Sequence, residues 1–353
     1  RGGIPFTGVR SQSLGEGLCG AAAALRQTIR VPNVHLDPRY MGCASSLAVN
    51  SEMIVPLVLE DRLLGILDFE SEKYDAFSAR DEQLVSTLAS SLAIALENAR
   101  LYERLRLDEM RVHEDLEMAR ELQAQLLPKV SPWVPGLQVG FAYEPARHLG
   151  GDFYDFLSYG EGRLAVAVGD VAGKSTPAAL YGSFAVGMLR EYATRGVYGP
   201  SQVLADMNRR LKQLSIDRRF LAMMFAVYDA GARTLTLASS GLPKPFHKSG
   251  DEVREIPVHG VPLGLLSDRG YEERVIQLQP GDVVVICSDG VEESHDPDGE
   301  ELGSRRIREV LLRMAPDATP AEIAQTLLQA SCRFTRGAEA EDDRTIVVLR
   351  VAD

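Results

Sequence analysis

The chain has 353 residues, 38 Lys and Arg against 50 Asp and Glu, and a formal net charge of −12. That length allows two or three domains, and 45% hydrophobic residues is enough for cores of useful size. The acidic excess disfavours a general nucleic-acid-binding role, and no apolar run approaches the length of a membrane span.

Four cysteines, Cys19, Cys43, Cys287 and Cys332, are scattered. None forms a CxxC pair and no Cys/His group has zinc spacing, which reads as free thiols in a reducing cytoplasm. No secretory signal is visible. The chain opens mid-pattern at Arg1-Gly2-Gly3 without a Met, so the expectation is that the natural protein continues upstream.

Three zones follow in chain order. In residues 1–78, Gly15-Glu16-Gly17 precedes an alanine-rich helix at 18–27. Residues 51–59 and 63–69 read as strands joined at an Asp61-Arg62 turn. Residues 79–127 read as one long helix, with Ser78 and Asp81 as its N-terminal signal and Pro128 as its stop. Leu84, Leu88, Ala95, Tyr102, Leu105, Val112, Leu116, Ala119 and Leu126 fall on one heptad-like seam. Ser91, Asn98, Glu109 and Gln123 interrupt it, so the seam is a marginal coiled coil on its own.

The third zone, 128–353, alternates strands at 138–143, 163–169, 222–228, 234–238, 282–288 and 345–351 with helices at 176–192, 200–214, 304–313 and 320–334. Strands follow one another directly in several places. That favours an α+β fold with layers around a largely antiparallel sheet or sandwich.

Acidic residues occupy particular places in this zone. Asp152 follows Gly150-Gly151, with Asp155 three residues on. Asp170 and Asp289 each end an apolar strand-like run, and Asp342-Asp343 closely precede another. Taken singly, each is an ordinary turn signal. Jointly, they would bring carboxylates to one rim of a sheet, where they repel unless hard divalent cations hold them. With few His or Cys ligands on offer, the donor set points to Mg2+ or Mn2+, and two such ions can acidify a water for attack on a phosphoryl group.

The segments Gly150 to Phe156, Gly169-Asp170-Val171-Ala172-Gly173-Lys174, Pro262-Leu263-Gly264, Leu278 to Asp282, Ser288 to Glu293 and Asp342-Asp343-Arg344-Thr345 resemble, in order, the bacterial PPM-type phosphatases of the SpoIIE/RsbU group. The lead-in Ala119 to Pro128 is also similar to that family's. The resemblance implies an αββα sandwich with a two-metal site, Mn2+ or Mg2+, and direct attack by a metal-activated water without a phosphoenzyme. It implies that Asp170 bridges both ions with help from the Val171 carbonyl, that Asp289 and Asp342 hold one ion each or its waters, and that Asp152 is a further catalytic carboxylate, either a metal ligand itself or directly behind the ligands. Asp343 is the alternative to Asp342, and Arg147 is a candidate phosphate clamp by its guanidinium geometry. Two departures concern loops: Ser175 stands where the family often has Gly, and Leu242 where it has His.

Residues 1–78 resemble the C-terminal part of a GAF domain, through Val55-Pro56-Leu57, residues 63–68, Phe77-Ser78 and residues 96–102. The expected organisation is a partial GAF-like sensory or dimerisation domain at 1–78, a helical linker at 79–127 and a phosphatase domain at 128–353. The expected activity is hydrolysis of phosphoserine or phosphothreonine on a regulatory protein of the anti-sigma-factor-antagonist kind. A homodimer through the linker, a possible small-molecule ligand for the GAF domain, a cytoplasmic location and no nucleic-acid or membrane partner complete the expectation. The competing readings are a catalytically silent signalling platform and a metal-dependent hydrolase of small phosphoesters.

Overall fold

The computed structural model describes residues 13–41, 48–173, 176–214, 219–267 and 269–352. Arg1-Gly2-Gly3, Cys43, Lys174 and Ser175 lie outside them. The chain divides into two compact units at residues 113 and 114. The boundary falls inside residues 79–127, so the last turns of that stretch group with the second unit.

In the first unit, helix α1 (Gly17–Leu25) precedes strands β1 (Ile29–Val31), β2 (Ser51–Leu59) and β3 (Arg62–Ser71). They form an antiparallel sheet in the order β1-β2-β3. These three strands are the strands of this unit among the described residues. Helix α2 (Ala79–Leu126) begins at a reciprocal cap: Asp81 N donates to Ser78 Oγ at 3.2 Å, and Ser78 N donates to Asp81 Oδ2 at 2.9 Å. Its Ala89 and Ala93 pack on Met53, Val55 and Leu57 of β2, with Val85 and Leu96 alongside. Alanine at those positions lets the helix lie close to the strand. Leu84, Leu88, Tyr102, Leu105 and Val112 remain exposed.

The second unit is an αββα sandwich. One antiparallel sheet has the order β10-β9-β12-β13-β4, built from β4 (Leu137–Glu144), β9 (Phe246–Ser249), β10 (Glu252–Glu255), β12 (Val283–Cys287) and β13 (Arg344–Val351). The other has the order β11-β8-β7-β6-β5, built from β5 (Phe153–Ser158), β6 (Arg163–Val171), β7 (Leu221–Asp229), β8 (Thr234–Ser239) and β11 (Arg274–Gln277). Period-two alternation sorts the side chains of each strand between two cores. Val347, Leu349 and Val351 of β13, with Val284 and Ile286 of β12, join the core shared by the two sheets. Ile346 and Val348, with Val283, Val285 and Cys287, face helices α6 (Gly303–Arg313) and α7 (Pro320–Phe334). Helices α3 (Thr176–Arg195) and α4 (Pro200–Gln213) pack their own apolar faces onto the second sheet. These runs are apolar at nearly every position because both faces of the strands are covered.

The expected strands and helices are all present, with ends displaced by up to three residues. Strands β1, β5, β9, β10 and β11 were not anticipated. Four of them have only three or four residues, and β9 to β11 carry polar side chains at most positions. Two local expectations are corrected. Asp170 lies inside β6, as its next-to-last residue, and Asp289 opens a short helix, α5 (Asp289–Glu292), where a simple turn was expected.

Candidate active site

The register brings the predicted carboxylates to one end of the sandwich. Phe153, which follows Asp152, pairs with Gly169, which precedes Asp170. In the other sheet, Cys287, two residues before Asp289, pairs with Ile346, four residues after Asp342. All four aspartates therefore stand at the same rim, two from each sheet.

Asp152 is 1% exposed. Thr345 Oγ1 donates to its Oδ2 at 2.6 Å, and the Ser288 side chain also bonds to it. Burial first, then the charges of Asp170 and Asp343, push its carboxyl well above the ordinary range. Asp152 and Asp170 share a hydrogen bond. Burial, with Asp289 and then Asp342 adding repulsion, pushes Asp170 up to about 7. Asp289 is raised by burial, then by Asp342 and Glu293. Carboxyls that resist ionisation this way are short of positive charge.

The Asp342-Asp343 pair separates by its contacts. The Asp343 carboxylate accepts from Ala146 N at 2.7 Å, Gly151 N at 2.6 Å and Asp152 N at 3.2 Å. It is committed to holding the loop before β5, and those amides draw its acidity back against the effect of burial. Asp342 is half-buried and acts electrostatically on both Asp170 and Asp289. The Val171 carbonyl also faces this rim. A side-chain carbon on Gly151 would stand 2.9 Å from Val171 O and 3.2 Å from Asp170 Oδ1, so only glycine lets the two segments meet.

Arg147 is exposed on the loop between β4 and β5. The guanidinium fixed at the rim is that of Arg219, whose Nη1 donates to Ala172 O at 2.8 Å just beyond Asp170. Asp155 faces away and pairs with Arg190 of α3 at 2.8 Å. Sequence reasoning gave no role to Arg219, Ser288, Thr345 or Gln123. The last three lie inside the quoted segments, which was the available signal; Arg219 offered none.

The donor set is all oxygen, close-packed and low in proton acidity, which fits hard divalent cations.

The family model for Stage II sporulation protein E (SpoIIE) matches residues 160–352, more than half of the chain. The chain belongs to the SpoIIE family. A GAF domain model matches residues 3–97. The resemblance read from the sequence is thereby borne out, and the enzyme class is that of the protein serine/threonine phosphatases. Phosphoserine phosphatase RsbU of Bacillus subtilis is 28% identical over 253 residues, covering 70% of this chain and 73% of that protein. The SiaA-PP2C domain of Pseudomonas aeruginosa superposes with a TM-score of 0.62 at 21% identity, covering 69% of this chain and 98% of that one, a likeness of fold. The free methionine-R-sulfoxide reductase of Escherichia coli is 35% identical over 79 residues, covering 22% of this chain and 47% of that protein.

The division between Asp342 and Asp343 has a stability signature. In metal-free protein, Asp343→Asn sets an amide donor against backbone donors, costs about 1–3 kcal/mol and lowers the Tm. Asp342→Asn relieves repulsion of Asp170 and Asp289 and leaves the Tm unchanged or higher. Calorimetry in excess chelator checks this, and equal losses in both variants would overturn the assignment of Asp343 to the loop.

Proposed function

We propose that this SpoIIE-family phosphatase removes phosphate from serine or threonine of a regulatory partner protein, of the anti-sigma-factor-antagonist kind, with two Mn2+ or Mg2+ ions. The reading rests on one observation: four aspartates from two sheets crowd one rim, and three of them, Asp152, Asp170 and Asp289, have their acidity suppressed. Asp170, Asp289 and Asp342, with the Val171 carbonyl, would hold the ions, with Asp152 beside them. When bound, the ions lower the pKa of a water and neutralise phosphoryl charge.

The chain's own groups do the rest. Thr345 and Ser288 aim Asp152, Asp343 fixes the loop that carries it, and Gly151 keeps the approach to Val171 open. Arg219, with the exposed Arg147 of the loop before β5, would supply guanidinium groups whose fork suits a phosphate dianion.

Two further proposals concern control. We assign homodimerisation to the stretch of α2 from Leu84 to Val112, where Leu84, Leu88 and Leu105 are 60%, 58% and 59% exposed along one stripe. The GAF module takes a small ligand bearing an ammonium group. Glu52, 5% exposed, lies directly across from Glu70 on the neighbouring strand and diagonal to Asp68. Cys19, Glu52 and Asp68 bring their polar atoms within 4.8 Å of one another. Like charges opposed across strands are destabilising without a compensating cation. Burial first, then Asp68, pushes Glu52 up to about 8.

Three measurements check these readings. Hydrolysis of para-nitrophenyl phosphate should depend on added Mn2+ and fall beyond about 100-fold in Asp170→Asn, more than the loss typical of supporting residues; inactivity of the wild type with every divalent ion would favour the silent platform. Light scattering should show Leu105→Glu as a monomer; a persistent dimer places the interface elsewhere. Free methionine sulfoxide should raise the Tm of the wild type, while its N-acetylated form and Glu52→Gln protein show no shift. Equal shifts with both forms would remove the ammonium from the argument.

A further inference from the structure

We propose that Gln123, near the end of α2, is a positioning residue for the active site: its side-chain amide grips the N–H and the carbonyl of Gly150 and so sets the loop that presents Asp152. The proposal rests on the reading of Asp152 as part of the catalytic rim.

Both backbone polar groups of one residue are used. Gln123 Nε2 donates to Gly150 O at 2.7 Å, and Gly150 N donates to Gln123 Oε1 at 3.2 Å. The next two amides, Gly151 and Asp152, donate to Asp343. Three consecutive peptides are thus held by two side chains, one from the helix and one from the start of β13. Gly150 leaves no room for adjustment, because a side-chain carbon there would run into the Tyr143 hydroxyl and the Asp343 carboxylate.

The helix is itself fastened around this point. Arg190 Nη2 donates to Leu126 O at 2.7 Å while its Nε binds Asp155. Tyr154 OH donates to Pro128 O at 2.9 Å, and Leu127 is buried in the sandwich core. One and a half turns upstream, Glu117 meets His148 of the same loop at 2.9 Å. Leu116, Ala119 and Gln123 are half-buried, so this face of α2 is turned to the phosphatase domain and is not a free stripe.

The residue type supports a polar task. Position 123 lies on the apolar seam with Leu116, Ala119 and Leu126, where leucine would bury more apolar surface. An amide there gives up packing and offers one donor and one acceptor to the backbone of a single residue. A helix residue advances 1.5 Å and turns by about 100°, so a shift of one residue in α2 would break both bonds.

The test uses the full chain and compares Gln123→Leu, which keeps the packing, with Gln123→Glu, which keeps the acceptor alone. In metal-free protein, amide hydrogen exchange of residues 150–152 should accelerate in Gln123→Leu while the rest of the sandwich is unchanged. The Mn2+ concentration for half-maximal para-nitrophenyl phosphate hydrolysis should rise ~10–100-fold, as for other residues that support a metal ligand, with the rate at saturating Mn2+ near wild type. Gln123→Glu should fall between. Unchanged exchange, exchange accelerated everywhere with a fallen Tm, or faster loop exchange with an unchanged Mn2+ requirement would each overturn the proposal. If the wild type shows no metal dependence, the reading of the rim fails instead, while exchange still decides whether Gln123 holds the loop.

Discussion

Thr345 and Asp152 belong to different sheets and are 193 residues apart, yet a 2.6 Å hydrogen bond joins them at the rim. Around it, Ser288 bonds to Thr345 N and to Asp152, and Asp343 takes up the amides of residues 146, 151 and 152. This knot of neutral donors lets a buried carboxyl stand beside Asp170 without a positive side chain among the described residues to pair with it. It also pins the open ends of the two sheets together. Without it, repulsion among the aspartates would spread the rim that the phosphatase reaction needs.

The layers explain why the rim is rigid enough for this. β12 and β13 are apolar on both faces because one face meets the other sheet and the other meets α6 and α7. Strands locked on two sides cannot slide by one residue without exchanging their cores. Asp289 and Asp342, which adjoin them, inherit that precision. Lys248 completes the outer layer by donating to the Leu311 and Met314 carbonyls at the end of α6, where a cation suits the helix dipole.

The long central strands and all the major helices were legible because their apolar periods are strong. Asp170 and Asp289 were legible because each breaks an apolar run beside glycine. The short strands β9 to β11 were hidden because four residues are too few to show a period, and β10 and β11 lie at sheet edges, which need little apolar pattern. The choice between Asp342 and Asp343 was not readable, since it depends on amides nearly two hundred residues away. Arg219 and Gln123 were missed for a related reason. Each acts on a backbone group of another segment, so its role could not be read from its own position, although Gln123 lies inside a quoted segment.

The linker helix meets two geometric demands along its 48 residues. A heptad stripe on a straight α-helix drifts about 20° per seven residues, or roughly 120° over the six heptads from Leu84 to Leu126. Between Leu105 and Gln123 that drift is about 50°, which the helix carries with no break. Supercoiling around a second copy would cancel that drift and swing Gln123 around the helix axis. Twist, a quantity with no fixed site, is then the variable through which pairing of the upper helix would compete with the grip on Gly150.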